Sequence, residues 1–180
     1  MLSVIIPAYN EEKAIEAIVN KVSSLPIEKE IIVVNDCSKD RTAAILSSFS
    51  LSNLKVIHHA SKRGRAAAAR TGLENAIGEF IIIQDVDLEY DPNGHLKLLE
   101  AIKNSNFDLA LGSRSTRMSF RDIALSILFG IKLKDWSSRC QLMRRESLLR
   151  LLPELKGVNI TFDILTKAIR KKMRVIEVPV

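Results

Sequence analysis

Short apolar runs alternate with amphipathic patterns along most of the chain. The runs are four or five residues long and rich in valine and isoleucine, which predicts strands, whereas apolar residues spaced three and four apart predict helices. The segment 30–34 is apolar almost without a break, as is typical of a strand covered on both faces. The predicted strands are 4–7, 30–34, 55–58, 80–84 and 109–112, and the predicted helices between them are 13–25, 41–48, 65–76 and 96–103.

This alternation predicts an α/β fold with a mostly parallel central sheet and helices on both of its faces. In such sheets, ligands bind beyond the carboxyl ends of the strands. Polar residues follow four of the predicted strands, at 9–12, 35–36, 85–89 and 113–114. The sequence therefore predicts a binding site at this edge of the sheet.

Three acidic residues, Asp85, Asp87 and Glu89, follow the predicted strand 80–84 at every second position. If the strand continues that far, alternation places the three carboxylates on one side. Oxygen ligands of this kind suit Mg²⁺ or Mn²⁺. A solvated strand end explains the same spacing, and the sequence leaves both interpretations open.

Asp36 occupies the equivalent position after the strand predicted at 30–34. It can cap the helix predicted at 41–48, or it can accept hydrogen bonds from a nucleotide base or ribose. The sequence does not separate these two roles. Neither a GxGxxG nor a GxxxxGK[ST] pattern is present, which disfavours a dinucleotide or P-loop site.

The size and composition predict one globular domain, with 180 residues of which 47% are hydrophobic. Cys37 and Cys140 form no CxxC pair, which favours a reducing compartment. The N-terminus lacks the basic start of a signal peptide. The longest uncharged apolar-rich run, 123–131, has nine residues where a membrane span needs about 20. We therefore expect a cytoplasmic location and no helix that crosses a membrane.

The formal net charge of +6 is unevenly distributed. Residues 1–90 carry 10 Lys and Arg against 12 Asp and Glu, a net −2, whereas residues 91–180 carry 17 against 9, a net +8. The basic half indicates either an anionic partner or an ordinary solvated face. Acidic strand ends would repel nucleic-acid phosphates, so we expect no nucleic-acid partner.

Six segments of the chain follow one another in a distinctive order. They are VIIPAYNEE (4–12), VVNDCSKDRT (33–42), KRGRAAAARTGL (62–73), GEFIIIQDVDLEYDP (78–92), GSR (112–114) and EVPV (177–180). In order and spacing they resemble the family 2 glycosyltransferases of the GT-A fold almost from end to end. The resemblance is greatest to the branch of dolichyl- or polyprenyl-phosphate mannosyl- and glucosyltransferases.

This resemblance implies the inverting transfer of a sugar from a nucleotide-sugar donor, such as GDP-mannose or a UDP-hexose, with Mg²⁺ or Mn²⁺ as cofactor. It implies a single domain in which residues 1–114 bind the donor and residues 115–180 bind the acceptor. Asp85 and Asp87 match the family's metal-binding D-x-D, Glu89 falls where a third ligand often lies, and Asp36 matches the nucleoside-binding aspartate. The other residues assigned to the donor site are Pro7, Tyr9, Glu11, Lys62 and Val86, and those assigned to catalysis are Asp87, Arg114 and Asp135.

The acceptor implied by the resemblance is a polyprenyl or dolichyl phosphate. A phosphate is largely ionised near neutral pH and needs no base, whereas a sugar hydroxyl needs a carboxylate to take its proton. Asp135 is the candidate for that base, or it makes a structural hydrogen bond at the start of a strand. Transfer to a saccharide hydroxyl and non-catalytic binding of a nucleotide sugar are therefore the alternatives.

Basic residues bracket the apolar run 123–131, which favours a peripheral position on the cytoplasmic face of a membrane. The alternative is a helix that faces the core and carries solvated charges. The last of the basic residues, Arg139, stands where the family usually has glycine, and the oligomeric state stays open. The basic residues are Arg114, Arg117, Arg121, Lys132, Lys134 and Arg139.

Overall fold

Seven strands form one sheet in the order β3-β2-β1-β4-β6-β5-β7. The computed structural model describes residues 1–87, 91–114, 117–155, 157 and 159–180. Within these residues β6 alone runs antiparallel to its neighbours, which confirms the predicted mostly parallel sheet. The strands are β1 (Leu2–Ala8), β2 (Lys29–Asn35), β3 (Leu54–His58), β4 (Phe80–Ile83), β5 (Leu109–Ser113), β6 (Gln141–Arg144) and β7 (Val175–Pro179).

Helices cover both faces of this sheet, also as predicted. The side chains of β1 alternate between two apolar clusters, with Ile5 in one cluster and Val4 and Ile6 in the other. Helices α1 (Ile15–Ser23), α2 (Thr42–Ser47) and α4 (Gly94–Lys103) contribute to one cluster. Helices α3 (Arg65–Asn75), α5 (Phe120–Phe129), α6 (Arg145–Leu151) and α7 (Ile160–Arg170) contribute to the other.

All nine elements predicted from the periodicity are present, with ends that differ by up to two residues. Strands β7 and β6 were not predicted. Glu177 interrupts the apolar residues of β7. Strand β6 has only two apolar residues, Leu142 and Met143. It lies between β4 and β5 and pairs with both of them in antiparallel register. The reversed strand brings the segment that precedes it, 136–140, to the same edge as the carboxyl ends of the parallel strands.

Small residues let helix α3 pack closely against the sheet. Its inner face consists of Ala68, Ala69, Gly72 and Leu73. A Cβ atom placed on Gly72 would lie 2.3 Å from Ile5 Cγ2, far inside van der Waals contact. The small residues therefore set the distance between α3 and β1, and with it the position of the helix start at Arg65.

Helix α5 is amphipathic, with one side facing the core and the other exposed, so each of the two interpretations of the run 123–131 describes one side. Its inner side packs against the core through Leu125 and Phe129. Its outer side exposes Phe120 at 95%, Ile127 at 78% and Leu128 at 75% of their surfaces. In the part of the chain that the structure describes, no helix combines the length and the apolar character needed to span a bilayer.

Candidate active site

A cavity of about 280 Å³ opens at the carboxyl ends of β1 and β2. Parallel register places the last residues of the two strands, Ala8 and Asn35, side by side, and the backbone N–H of Asp36 donates to Ala8 O over 2.8 Å. Five of the residues predicted for the donor site line this cavity. The lining comprises Pro7, Ala8, Tyr9, Glu11, Asp36, Lys62, Gly64, Arg65 and Ala68.

The Asp36 carboxylate anchors the loop that leads into α3. It accepts hydrogen bonds from the backbone N–H groups of Arg63 (2.9 Å) and Gly64 (2.7 Å) and from His59 Nδ1 (2.7 Å). Burial raises the pKa of this carboxyl, but the three hydrogen bonds together outweigh burial and hold the pKa below its ordinary value. Of the two roles that the sequence left open for Asp36, the cap of α2 does not apply, because the carboxylate accepts from the backbone at the start of α3 instead.

An aromatic ring and a cation form one wall of the same cavity. Lys62 Nζ lies 3.7 Å from the centroid of the Tyr9 ring, within the range of a cation–π interaction. Glu11 lines the cavity nearby, and its pKa is raised first by burial and then by the negative charges of Asp87, Asp40 and Asp85. The cavity therefore combines an aromatic ring with carboxylates at a size that accommodates a small ligand.

The acidic residues after β4 lie differently from the sequence expectation. The strand ends at Ile83, and Val86 and Asp87 form a turn, so strand alternation does not place the carboxylates on one side. Val86 is buried in the apolar core, which leaves only its backbone for a ligand. Glu89 lies outside the described residues. The turn nevertheless brings Asp85 and Asp87 to a common cation.

That cation is the guanidinium of Arg139, and a second arginine binds from the other side. Arg139 Nη1 lies 3.0 Å from Asp85 Oδ2, and its Nη2 lies 3.4 Å from Asp87 Oδ2. Arg65 donates from Nε to Asp85 Oδ1 over 2.8 Å and also pairs with this oxygen through Nη2. Asp85 is nearly buried, whereas about half of the Asp87 side chain is exposed.

Gln84 and His95 support the acidic pair from inside the protein. Gln84 Nε2 donates to the backbone oxygen of Asp85 over 2.8 Å, and Gln84 Oε1 lies 2.7 Å from His95 Nε2. Burial lowers the pKa of His95 to about 4, although the negative charge of Asp91 opposes this shift. His95 is thus a neutral structural histidine, whose Nε2–H donates to Gln84.

The donor set of Asp85 and Asp87 fits a divalent cation. Mg²⁺ and Mn²⁺ commonly take one or two protein carboxylates together with substrate phosphates. Within the described residues no cluster of three or more His, Cys, Asp or Glu side chains has metal-binding geometry. Asp85 and Asp87 are therefore the described residues that would hold such an ion, and it would bring positive charge to a phosphorylated ligand.

A second, basic cavity of about 440 Å³ is lined by the segment after β5, the start of α5 and the loop before β6. Arg114 and Asp135, both predicted as site residues, line it together. Four positive side chains and two carboxylates surround this opening, which suits an anionic group. The lining comprises Arg114, Arg117, Ser119, Arg121, Asp122, Lys134, Asp135 and Ser137.

The loop that carries Asp135 is fixed by carboxylates from two other elements. Glu177 of β7 accepts hydrogen bonds from the backbone N–H groups of Lys134 and Asp135, each at 2.9 Å. Asp122 of α5 accepts from the backbone N–H of Trp136 over 3.2 Å. The Asp135 carboxylate accepts from the Ser137 hydroxyl over 3.0 Å. Asp135 lies in this loop and not at the start of a strand, because β6 begins only at Gln141.

Trp136 is a packing residue. Its side chain is buried, its Nε1 donates to Ser126 Oγ over 2.9 Å, and its ring lies 5.2 Å from the ring of Phe129. The indole therefore holds the loop to α5.

Shared residues join the two cavities through the acidic pair. Arg65 lines the first cavity and binds Asp85, and Arg139 binds Asp85 from the opposite side. Arg139 also lines an intermediate cavity of about 300 Å³, which shares Arg121 and Ser137 with the basic cavity. The arrangement places a carboxylate pair, its arginines and a basic cavity next to one another at one edge of the sheet.

Several residues of this site were not predicted as site residues from the sequence. His59 supports Asp36, Arg65 and Arg139 flank the acidic pair, and Glu177 fixes the loop of Asp135. Arg65 and Glu177 belong to recognised motifs, which is a signal for their importance. Nothing local in the sequence places Arg139 next to Asp85, because this contact depends on the reversed strand β6.

The mostly parallel sheet, with helices on both faces and an acidic pair after its fourth strand, agrees with the GT-A fold expected from the resemblance. Residues 3–149 match the family described as Glycosyl transferase family 2, and the chain belongs to this family.

Two curated relatives and one solved structure illustrate the similarity. The dolichol-phosphate mannosyltransferase of Pyrococcus furiosus is 37% identical over 116 residues, which are 63% of this chain and 33% of that protein. The polyprenol monophosphomannose synthase of Mycolicibacterium smegmatis is 30% identical over 200 residues, with 98% of this chain and 75% of that protein covered. This chain thus spans a third of the first relative and three quarters of the second.

Among solved structures, the chain is similar to the glucosyl-3-phosphoglycerate synthase of Mycobacterium tuberculosis in complex with Mn²⁺, uridine diphosphate and phosphoglyceric acid. The TM-score is 0.78 at 21% sequence identity, and the match covers 99% of this chain and 68% of that one. This likeness supports the fold.

Proposed function

We propose that the chain transfers a hexose from a nucleotide sugar, GDP-mannose or a UDP-hexose, to a polyprenyl or dolichyl phosphate. The observation that carries this proposal is the row of connected sites: the cavity under Asp36, the acidic pair Asp85 and Asp87, and the basic cavity around Arg114. The names of the two curated relatives, one a dolichol-phosphate mannosyltransferase and one a polyprenol monophosphomannose synthase, support the same reaction class.

The donor would bind in the cavity that Tyr9, Glu11, Asp36 and Lys62 line. Its nucleoside would lie against the Tyr9 ring, and its diphosphate would point toward Asp85 and Asp87. A divalent cation, when bound, neutralises the charge that develops on the departing nucleoside diphosphate. Arg65 and Arg139 add guanidinium groups of the kind that bind phosphate oxygens in pairs. Glu89 is proposed as a further ligand of this cation, and only the sequence resemblance supports that role.

The acceptor phosphate would bind in the basic cavity, where Arg114, Arg117, Arg121 and Lys134 supply the positive charge. An ionised phosphate attacks the sugar without a base. In this reaction Asp135 holds its loop through the Ser137 hydroxyl and moves no proton. The donor half of the domain would be residues 1–114 and the acceptor half residues 115–180.

The exposed side of α5 would place the basic cavity at a membrane surface. Phe120, Ile127 and Leu128 are mostly exposed. Arg121 belongs to the first turn of this helix, and Arg117 precedes the helix and lines the same basic cavity. Apolar side chains flanked by cations insert into the interface and attract anionic headgroups. We therefore propose a peripheral position on the cytoplasmic face, where a lipid-linked phosphate is accessible.

Transfer to a saccharide hydroxyl is the second candidate, because the Asp135 carboxylate lines the basic cavity and could act as a base there. The two acceptors predict different results for Asp135→Asn. With a lipid phosphate, the rate stays within about tenfold of the unmodified protein, since no proton has to be removed. With a sugar hydroxyl, the rate falls by about 10²–10⁴-fold while donor binding is kept.

The experiment is a transfer assay with radiolabelled GDP-mannose, UDP-glucose and UDP-GlcNAc, each with Mn²⁺ and vesicles that contain polyprenyl phosphate. We expect a glycolipid from one donor, and we expect Asp87→Asn to abolish it while the surface variant Arg150→Gln does not. Absence of glycolipid with every donor, from folded protein that binds a nucleotide, would contradict the proposal.

The membrane position is tested by the double variant Phe120→Ser and Leu128→Ser. It should bind anionic vesicles more weakly and yet use a water-soluble short-chain prenyl phosphate at the normal rate. Unchanged vesicle binding would contradict the role of α5.

A further inference from the structure

Arg139 binds the acidic pair at the edge that its two carboxylates share. The two Nη atoms of the guanidinium approach Oδ2 of Asp85 at 3.0 Å and Oδ2 of Asp87 at 3.4 Å. Arg65 instead contacts Asp85 through the other oxygen, Oδ1. Arg139 therefore lies where a cation would have to lie in order to touch both aspartates.

The register of the sheet delivers Arg139 to this place. Antiparallel pairing of β4 and β6 matches Phe80 with Arg144 and Ile82 with Leu142. Because β4 ends at Ile83 and the antiparallel β6 begins at Gln141, the segments that carry Asp85 and Arg139 leave the sheet at the same edge.

We propose that Arg139 is a built-in competitor of the divalent cation for Asp85 and Asp87. In the absence of nucleotide, the guanidinium forms ion pairs with both carboxylates, and a metal ion binds only by displacing it. This inference rests on the proposed function, in which these two aspartates hold the metal.

The physical reason is that a guanidinium and a divalent ion cannot occupy the same edge of two carboxylates. Like charges about 4 Å apart repel strongly in a partly buried site. Displacement is sterically possible, because Arg139 already lines the neighbouring cavity together with Arg121 and Ser137. Arg65 can stay in place, since it occupies Oδ1 and leaves Oδ2 to the metal.

Calorimetric titration of the whole chain with Mn²⁺, in the absence of nucleotide, tests this competition. We expect Arg139→Gln and Arg139→Gly to bind Mn²⁺ at least tenfold more tightly than the unmodified protein. The glutamine variant keeps a polar side chain but removes its charge, and the glycine variant removes the side chain altogether. The control Arg150→Gln removes one positive charge, as the Arg139 variants do, but from an exposed position of α6. It should change the dissociation constant for Mn²⁺ by less than twofold. Thermal unfolding confirms that each variant is folded.

Mn²⁺ affinity that stays within twofold of the unmodified protein in the folded Arg139 variants, or that falls, would overturn the inference. No measurable Mn²⁺ binding by any variant would overturn it as well. The proposed function fails by a different result, the absence of glycolipid in the transfer assay. If the Arg139 variants bind Mn²⁺ more tightly but the unmodified protein transfers no sugar, the competition holds and the proposed function fails. If the unmodified protein shows metal-dependent transfer but the Arg139 variants bind Mn²⁺ with unchanged affinity, the function holds and the competition fails.

Discussion

Acidification should destabilise the protein through His95, the buried histidine beneath the acidic pair. Its side chain is fully buried, and Nε2 is engaged with Gln84 Oε1 at 2.7 Å. A second proton would go to Nδ1, for which the described residues provide no hydrogen-bond partner. The folded protein therefore resists protonation, and burial lowers the pKa of His95 from 6.5 to about 4.

The sign and size of the effect follow from this difference in pKa. Between pH 6.5 and pH 4 the unfolded chain binds a proton that the folded chain does not, so stability is complete above pH 7 and is lost as the pH falls. From pH 8 to pH 5 the loss amounts to about 2 kcal/mol, and it levels off near 3 kcal/mol below pH 4.

Urea denaturation at pH 8 and pH 5 measures this loss, and a comparison of variants isolates it. The unmodified protein should lose about 2 kcal/mol more than His95→Gln does over this interval. If His95→Gln and the unmodified protein lose the same stability within about 0.5 kcal/mol, the neutral buried state of His95 is refuted.

Three further substitutions test separate contacts. Gly72→Ala should destabilise the protein by about 1–3 kcal/mol in urea denaturation, because the added methyl meets Ile5 at 2.3 Å. This clash outweighs the better helix propensity of alanine. A gain in stability would contradict the close packing of α3. Asp36→Asn should lower the free energy of unfolding by about 3 kcal/mol, because the amide presents a donor to backbone N–H groups. In thermal unfolding this corresponds to a fall of about 5–10 °C in the midpoint temperature. A fall under 2 °C would count against this anchor. Glu177→Gln should raise the acceptor KM about tenfold and leave donor affinity unchanged, because it loosens the loop of Asp135; equal losses for both substrates in steady-state kinetics would argue against this role.

The sequence alone predicts the α/β architecture, because the signals for it are local. Apolar β-branched runs such as 31–34 form strands buried on both faces, and the spacing of apolar residues in α1 forms a helix with one buried side. The order of these elements then restricts the sheet to parallel pairing, so the location of Asp36 and Asp85 at one edge also follows.

The contacts made by these site residues could not be predicted in the same way. Asp36 binds His59 and the start of α3, and the sequence offered only a helix cap or a nucleotide as its partner. Asp85 and Asp87 come together through a turn rather than through strand alternation. His59 and Arg139, the partners of Asp36 and Asp85, are distant in the chain, and local periodicity carries no information about them.

Only the tertiary structure decided which cation lies at the acidic pair. The sequence by itself determined that acidic residues follow a buried strand, since burial and polarity are properties of each segment. It did not determine that β6 runs antiparallel between β4 and β5, because strand pairing joins residues that are distant in the chain. That one reversal carries Arg139 to Asp85 and joins the acidic pair to the basic cavity.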